Sequence, residues 1–323
     1  MKTDVLIVPN DTLVIGQGRR PVGRVGLTVD GRFPTDLFMG MLRAAYASSG
    51  VEAPAEMRIV TQLVATGVGD RLEPLYPVPD DLVVEPGAKD AVWAQPAYLE
   101  AINQEMVEHD LGELRLLTAS TRNVHAHPFA AYLTRKGVRV WADRKPQRLT
   151  EGEHYVPFSR LFDVEARPDG GGSTFHLSFK PGIGFLITVE VPDGTPALAL
   201  PLTVAAGAGG RTVRLEEVQF PQPTIEVKSR KRWRLCLLSN AQVAKGGWPS
   251  WVDSATLSTR EPLPEGGKVV AVARRRGENV AGAPFSGASR VAQTIIPVGT
   301  TVYIEFEEPV RIEQSAEILA GGS

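Results

Sequence analysis

Cysteine is almost absent from this 323-residue chain. The single cysteine, Cys236, excludes an internal disulfide and a zinc site built from several cysteines. It lies in the apolar stretch 233–238, so we expect a buried, small hydrophobic side chain. No stretch approaches the ~20 apolar residues that a membrane-spanning helix needs, and the N-terminal apolar run is too short for a signal peptide. We therefore expect a soluble, cytoplasmic protein.

Strong net charge is absent too, because the chain carries −2 at pH 7 and has no bulk attraction to nucleic acid. Lysine is scarce: nine lysines accompany 26 arginines. Arginine binds phosphate through a planar fork and stacks on bases, although a GC-rich genome would produce the same bias. Acids gather at 305–317, and the cations cluster in four segments: 19–43, 135–148, 211–234 and 274–276. This segregation predicts one positive groove and one negative flank.

Glycine and proline are abundant, with 32 and 25 residues, which indicates many turns. Strand-like alternation recurs, whereas only residues 36–49 and 96–110 have the spacing and end signals of helices. Because helices and strands do not alternate regularly, we expect an α+β fold of antiparallel sheets, with helices on one face and glycine-rich loops. The basic run 135–148 is interpreted as a solvated face or a hairpin, and the tail from Ile312 as frayed.

A glycine-rich turn precedes a strand that we expect at 212–218. The residues of this turn that we single out are Gly207, Gly209, Gly210 and Arg211. Glycines adopt backbone conformations that other residues avoid, and the arginine adds a fixed positive charge, so the turn is suited to approach a phosphate. An ordinary surface turn is the alternative. A P-loop is excluded because lysine does not follow the last glycine, and a dinucleotide fingerprint because no helix is expected after it.

Catalytic and metal-binding motifs are missing. His125 and His127 alternate on one presumed strand, but no partner lies at ligand spacing. Asp80 and Asp81 follow a proline and are interpreted as capping a turn. We expect no catalytic residue, no metal and no cofactor. Arginine and glycine loops beside aromatic residues instead suit single-stranded RNA, with arginine on phosphate and rings stacked on bases. The candidate rings are Phe33, Trp141, Trp233 and Trp248.

An ordered set of short segments spans nearly the whole chain. It comprises Gly18-Arg19-Arg20-Pro21, Phe33-Pro34 before a helix with Gly40 and Arg43, Tyr76-Pro77-Val78-Pro79-Asp80-Asp81-Leu82, Trp93 followed by Tyr98-Leu99, Arg122, Gly182-Ile183-Gly184-Phe185, Gly209-Gly210-x-x-x-Arg214, Gly247-Trp248-Pro249 and Pro297-x-Gly299. In this order the segments resemble the RAMP-superfamily proteins that form the third subunit of the Cmr complex, a type III-B CRISPR effector. The glycine turn departs from that pattern because it lacks an acid after its paired glycines.

The resemblance implies two ferredoxin-like (RRM-like) domains, residues 1–222 and 223–323, without nuclease activity. It implies that the protein caps the 5′ repeat-derived handle of the CRISPR RNA and bridges the large polymerase-type subunit to the backbone RAMP subunits. Target RNA would be met only indirectly. The residues assigned to RNA are Arg19, Arg20, Arg24, Arg43, Gly207, Gly209, Gly210, Arg211, Arg144 and Trp248.

Two other functions stay open at this point. A metal-independent, CRISPR RNA-processing endoribonuclease of the same superfamily would use a histidine such as His125 or His127 as general acid or base. A scaffold that binds only proteins would carry no RNA.

Overall fold

The chain forms two compact units in the computed structural model. The first unit comprises Met1–Pro77, Ala130–Arg135 and Tyr155–Pro221, and the second comprises Val78–Phe129, Lys136–His154 and Gln222–Ser323. The structure describes residues 1–16, 33, 35–67, 71–84, 91–93, 95–97, 115–118, 131–143, 149–169, 172–206, 210–219, 228–239, 241–242, 248–273, 278–281, 292–296, 298–313 and 318–322.

Strands far outnumber helices in the described residues. The helices are α1 (Thr35–Ser48), α2 (Arg135–Asp143) and α3 (Phe158–Leu161). The strands are β1 (Lys2–Pro9), β2 (Leu13–Gly16), β3 (Arg58–Thr66), β4 (Glu73–Pro77), β5 (Leu82–Val84), β6 (Ala91–Trp93), β7 (Gln95–Ala97), β8 (Arg115–Thr118), β9 (Ala131–Leu133), β10 (Tyr155–Pro157), β11 (Phe162–Asp169), β12 (Gly172–Phe179), β13 (Ile183–Glu190), β14 (Leu202–Ala205), β15 (Thr212–Glu217), β16 (Arg230–Leu237), β17 (Ala241–Gln242), β18 (Lys268–Ala273), β19 (Glu278–Ala281), β20 (Ala292–Ile296), β21 (Thr301–Val310) and β22 (Ile318–Gly322). The expected α+β class is confirmed.

The first unit is built on an eight-stranded antiparallel sheet in the order β10-β9-β4-β3-β13-β1-β15-β14. Strands β1 and β3 flank β13, and α1 connects them in sequence, which is a split β-α-β unit. This arrangement is compatible with the ferredoxin-like domain that the resemblance implies. A separate sheet in the same unit has the order β11-β12-β2.

Helix α1 covers the core face of this sheet. The helix expected at residues 36–49 is found at Thr35–Ser48 and is followed by Gly50 with φ +69°. One stripe of its side chains is buried at helical spacing: Phe38, Met41, Leu42 and Ala45. The Phe38 ring meets the Phe185 ring edge-on, with 4.9 Å between their centroids.

The motif that begins at Gly182 has a structural explanation. Gly182 has φ +76°, a conformation that side chains rarely adopt, in the turn between β12 and β13. Gly184 lies on β13 beside β1, where an added Cβ would approach the Ile7 carbonyl oxygen to 2.7 Å. Gly182 therefore serves the conformation of the turn, and Gly184 the close approach of two strands.

The second unit contains a six-stranded sheet in the order β22-β16-β21-β18-β8-β7. It is antiparallel except where β18 pairs in parallel with β8. Cys236 is fully buried on β16, as expected. The C-terminal tail is not frayed as predicted, because Ile318–Gly322 pairs with β16 and Ile318 is buried.

Two other expectations about local structure are wrong. Gln95–Ala97 is a strand paired with β8, where the sequence predicts a helix from residue 96; residues 98–110 of that helix lie outside the described residues. The basic run at 135–148 begins as a helix, Arg135–Asp143, and not as a hairpin, although Lys136 and Arg139 are exposed as a solvated face requires. Val138, Trp141 and Ala142 are buried at helical spacing, so packing of this apolar stripe determines the helix.

Candidate nucleic-acid interface

The glycine-rich turn closes a β-hairpin. Strands β14 and β15 pair antiparallel up to Ala205 opposite Thr212, and the Ala206 N–H donates to the Arg211 carbonyl at 2.8 Å. Gly210 has φ +69°, and no atom of the described residues lies within 4 Å of the place where its Cβ would be. Among these residues, only the backbone conformation of Gly210 requires glycine. Gly207 and Gly209 lie outside the described residues.

Arg211 follows this turn and forms an exposed ion pair with Asp11. Its Nη1 lies 3.3 Å from Oδ1 of Asp11, and the two side chains are 37% and 57% exposed. An exposed ion pair of this kind contributes roughly 0–1 kcal/mol. A phosphate group can therefore replace Asp11 at small cost.

The structure describes four of the ten residues assigned to RNA. Arg19, Arg20, Arg24, Arg144, Gly207 and Gly209 lie outside the described residues. In the first unit Arg43 lies half-buried on α1, the helix that packs against β14 of the hairpin. Trp248 belongs to the second unit, where it is half-buried and packs against the core.

Three of the four candidate stacking rings are unavailable to RNA. Phe33, Trp141 and Trp233 are buried. The Phe33 ring meets Phe185 edge-on at 4.6 Å between centroids, and the Trp233 indole N–H donates to the Arg230 carbonyl at 3.0 Å. Their role is packing, which leaves Trp248 as the partly exposed ring of the set.

The predicted separation of basic and acidic regions fails on β16. Its basic residues run directly beside β21, and the Nε of Arg232 donates to Oε1 of Glu305 at 2.9 Å. Segments that are far apart in sequence are therefore neighbours in one sheet, and their charges offset each other there.

Asp81 organises a buried polar network inside the second unit. Its carboxylate accepts hydrogen bonds from the Trp141 indole at 2.9 Å, from Nη1 of Arg234 at 3.1 Å and from the Tyr303 hydroxyl at 2.7 Å. Arg234 also donates to the Trp141 carbonyl and lies over the Trp141 ring, 4.8 Å from its centroid. The side chains of Arg234 and Asp81 are 0% and 1% exposed. Arg234 is thus excluded from contact with RNA.

The sequence predicts that Asp81 caps a turn, and this prediction is wrong because its carboxylate binds Trp141, Arg234 and Tyr303 instead. The backbone does turn there, since the Leu82 N–H donates to the Pro79 carbonyl at 3.0 Å. However, the Asp81 side chain neutralises an arginine that lies 153 positions away in sequence. No spacing rule could have found this pair. The neighbouring Asp80 N–H donates to the Gly299 carbonyl at 2.8 Å, which joins two of the motifs that carry the resemblance.

The described histidines do not form a catalytic or metal-binding group. Nδ1 of His154 accepts a hydrogen bond from the Thr150 N–H at 3.0 Å, and His176 lies on β12. His125 and His127 lie outside the described residues. Within the described ranges, no three His, Cys, Asp or Glu side chains are grouped to hold a metal ion. No helix among the same residues is long and apolar enough to cross a membrane.

Comparison with known families agrees with the ordered motifs. The profile of the family described as CRISPR-associated protein (Cas_Cmr3) matches residues 38–319. Because this match covers most of the chain, the chain belongs to the Cas_Cmr3 family of CRISPR-associated proteins. No curated protein matches it significantly.

Solved structures give matches over similar lengths. A chain of "Cryo-EM structure of the Type III-B Cmr-beta bound to cognate target RNA" aligns with a TM-score of 0.43 and 13% identity, covering 93% of this chain and 86% of that one. A chain of the complex "bound to cognate target RNA and AMPPnP, state 1" gives 0.44, with the same identity and coverage.

Proposed function

We propose that the chain is a non-catalytic subunit of a type III-B CRISPR RNA-guided effector complex. In this role it holds the 5′ repeat-derived handle of the CRISPR RNA and bridges the large polymerase-type subunit to the backbone subunits. The observation that carries the proposal is the family match over residues 38–319.

The hairpin between β14 and β15 supports the RNA-binding part. No described residue crowds the missing side chain of Gly210, so a sugar-phosphate backbone can approach closely. Arg211 brings a guanidinium whose present partner, Asp11, is exposed and exchangeable. Phosphate contacts of this kind position an RNA, while bases are read elsewhere.

Binding of a labelled handle RNA to the purified protein tests this function. Fluorescence anisotropy should show Arg211→Gln binding at least about tenfold more weakly, because a hydrogen bond to a charged group contributes about 1.5–3 kcal/mol and every 1.4 kcal/mol is tenfold. The slope of the logarithm of the binding constant against the logarithm of the salt concentration should become shallower by about 0.7 for one lost phosphate contact. The matched control is Arg260→Gln, which removes an exposed arginine paired with Asp253 and should leave affinity unchanged.

A second variant tests the arginines outside the described residues. Arg19→Ala with Arg20→Ala should weaken binding more than Arg211→Gln, because two charges are lost. Unchanged affinity in Arg211→Gln and in the double variant would show that none of these three arginines contacts the handle. If the wild-type protein binds no RNA, a scaffold that binds only proteins becomes the better function.

Incubation of repeat RNA with the same protein distinguishes binding from processing. We expect intact RNA with and without a chelator. Metal-independent cleavage that disappears in His125→Ala would replace the binding role by the endoribonuclease. Co-purification with the large subunit, with and without CRISPR RNA, tests the bridging role.

A further inference from the structure

Asp11 lies between two residues that are fixed to neighbouring strands of the first unit. On one side the Asn10 N–H donates to the Thr212 carbonyl at 3.1 Å, and the Asn10 side-chain amide donates to the Thr212 hydroxyl at 3.2 Å. On the other side the hydroxyls of Thr12 and Ser178 share a hydrogen bond of 3.0 Å. The backbone at Asp11 is therefore held by β15 and β12, and its position does not depend on its own ion pair.

The carboxylate of Asp11 occupies the place that an RNA phosphate needs. Its Oδ1 lies 3.3 Å from Nη1 of Arg211, the guanidinium that we assign to phosphate. When RNA binds, Arg211 exchanges a carboxylate for a phosphate, and the anchored backbone keeps Asp11 close to the incoming charge. Asp11 therefore opposes binding in two ways, because it competes for the guanidinium and repels the phosphate.

The same carboxylate could instead favour binding if it held the arginine side chain ready for the ligand. Ordering a long side chain in advance does reduce the cost of association. However, the Asp11 and Arg211 side chains are 57% and 37% exposed, and a pair that is solvated to this extent restricts its members little. Repulsion of the phosphate therefore decides the sign of the effect.

We propose that Asp11 is a counter-charge that regulates the RNA site: it neutralises Arg211 in the RNA-free protein and lowers the affinity for the RNA backbone. The inference rests on the proposed function and adds a residue whose removal strengthens binding. It also explains why an anchored acid lies beside the glycine turn, where a surface selected only for affinity would carry no negative charge.

Anisotropy with the labelled handle RNA and the full-length protein tests this role. Asp11→Asn keeps the shape of the side chain and removes its charge, and it should bind about two- to fivefold more tightly. Asp11→Glu keeps the charge and should bind like wild type. The matched control is Glu190→Gln, which removes an acid that is likewise paired with an exposed arginine, Arg58. Glu190 lies opposite Lys2, about 30 Å along β1 from Asp11, and its loss should leave affinity unchanged.

A double-mutant cycle shows whether Asp11 acts through Arg211. In the Arg211→Gln background the gain from Asp11→Asn should disappear, because the phosphate is no longer held beside residue 11. In the wild-type background the gain should shrink as salt is added, since ions screen exposed charges.

The other outcomes separate this role from the proposed function. Equal gains in Asp11→Asn and Glu190→Gln, or in Asp11→Asn and Asp11→Glu, would overturn the counter-charge. Weaker binding by Asp11→Asn, with Arg211→Gln also weaker, would overturn it and leave the hairpin as an RNA contact. Unchanged affinity in both Asp11→Asn and Arg211→Gln would overturn the hairpin contact and the counter-charge together. If neither wild type nor Asp11→Asn binds RNA, the proposed function itself is overturned.

Discussion

Two arginines on β16 occupy opposite environments although they lie two residues apart. Alternate residues of a strand point to the same face, so Arg232 and Arg234 share one side of the sheet. The Arg232 side chain is 67% exposed and is paired with Glu305 of the adjacent strand. Arg234 is 0% exposed and is paired with Asp81 from a distant part of the chain. A basic run in the sequence therefore does not identify a single basic surface.

The difference is one of solvation. Water screens the pair of Arg232 and Glu305, which contributes little to stability or to a fixed geometry. The pair of Arg234 and Asp81 has lost its hydration, so it must be fully hydrogen-bonded, and Trp141 and Tyr303 complete its shell.

Removal of the buried anion should give the largest effect. Asp81→Ala leaves Arg234 as an uncompensated buried charge, and we expect a loss of about 3–5 kcal/mol in the free energy of unfolding, measured by urea denaturation. The double variant Asp81→Leu with Arg234→Leu removes both charges and should be less destabilised than the single one. A double variant that loses as much as Asp81→Ala would contradict the account based on an unpaired charge.

A smaller effect should follow from removing one hydrogen bond in the network. Tyr303→Phe deletes the hydroxyl that donates to Asp81 at 2.7 Å but keeps the ion pair. We expect a loss of about 1–3 kcal/mol by the same measurement. The double variant with Trp141→Phe checks that one network is involved. Because both side chains donate to Asp81, the two losses in the free energy of unfolding should not be additive. Full additivity would show that Tyr303 and Trp141 act independently.

Regular local patterns were predictable from the sequence. The stripe of α1 fixed the helix to within a residue at each end, and the strand expected at 212–218 is found as β15. The glycines before β15 likewise predict the turn that joins it to β14. The sequence does not indicate helix α2 because its many cations are typical of a solvated segment. The buried spacing of Val138, Trp141 and Ala142 was the available signal.

Long-range partnerships could not be predicted. Nothing near Asp81 in the sequence indicates Arg234, and the strand pairing that places Glu305 beside Arg232 depends on the whole sheet. The C-terminal strand β22 also depends on a distant partner. Its short, glycine-ending sequence has little strand character of its own and is held by pairing with β16. The hairpin of the candidate site is local and can be predicted from its glycines, whereas the buried pair of Asp81 and Arg234 is a property of the assembled structure.

The smallest effect should come from the exposed arginine. Arg232→Gln removes the pair with Glu305, and we expect a change in the free energy of unfolding below about 1 kcal/mol. Glu305→Gln should behave alike, and a double-mutant cycle should give a coupling of about 0.2–1 kcal/mol that shrinks as salt is added, because ions screen exposed charges. The coupling between Asp81 and Arg234 should resist salt, since that pair is buried. A large, salt-independent coupling for Arg232 and Glu305 would mean that solvation does not separate the two arginines.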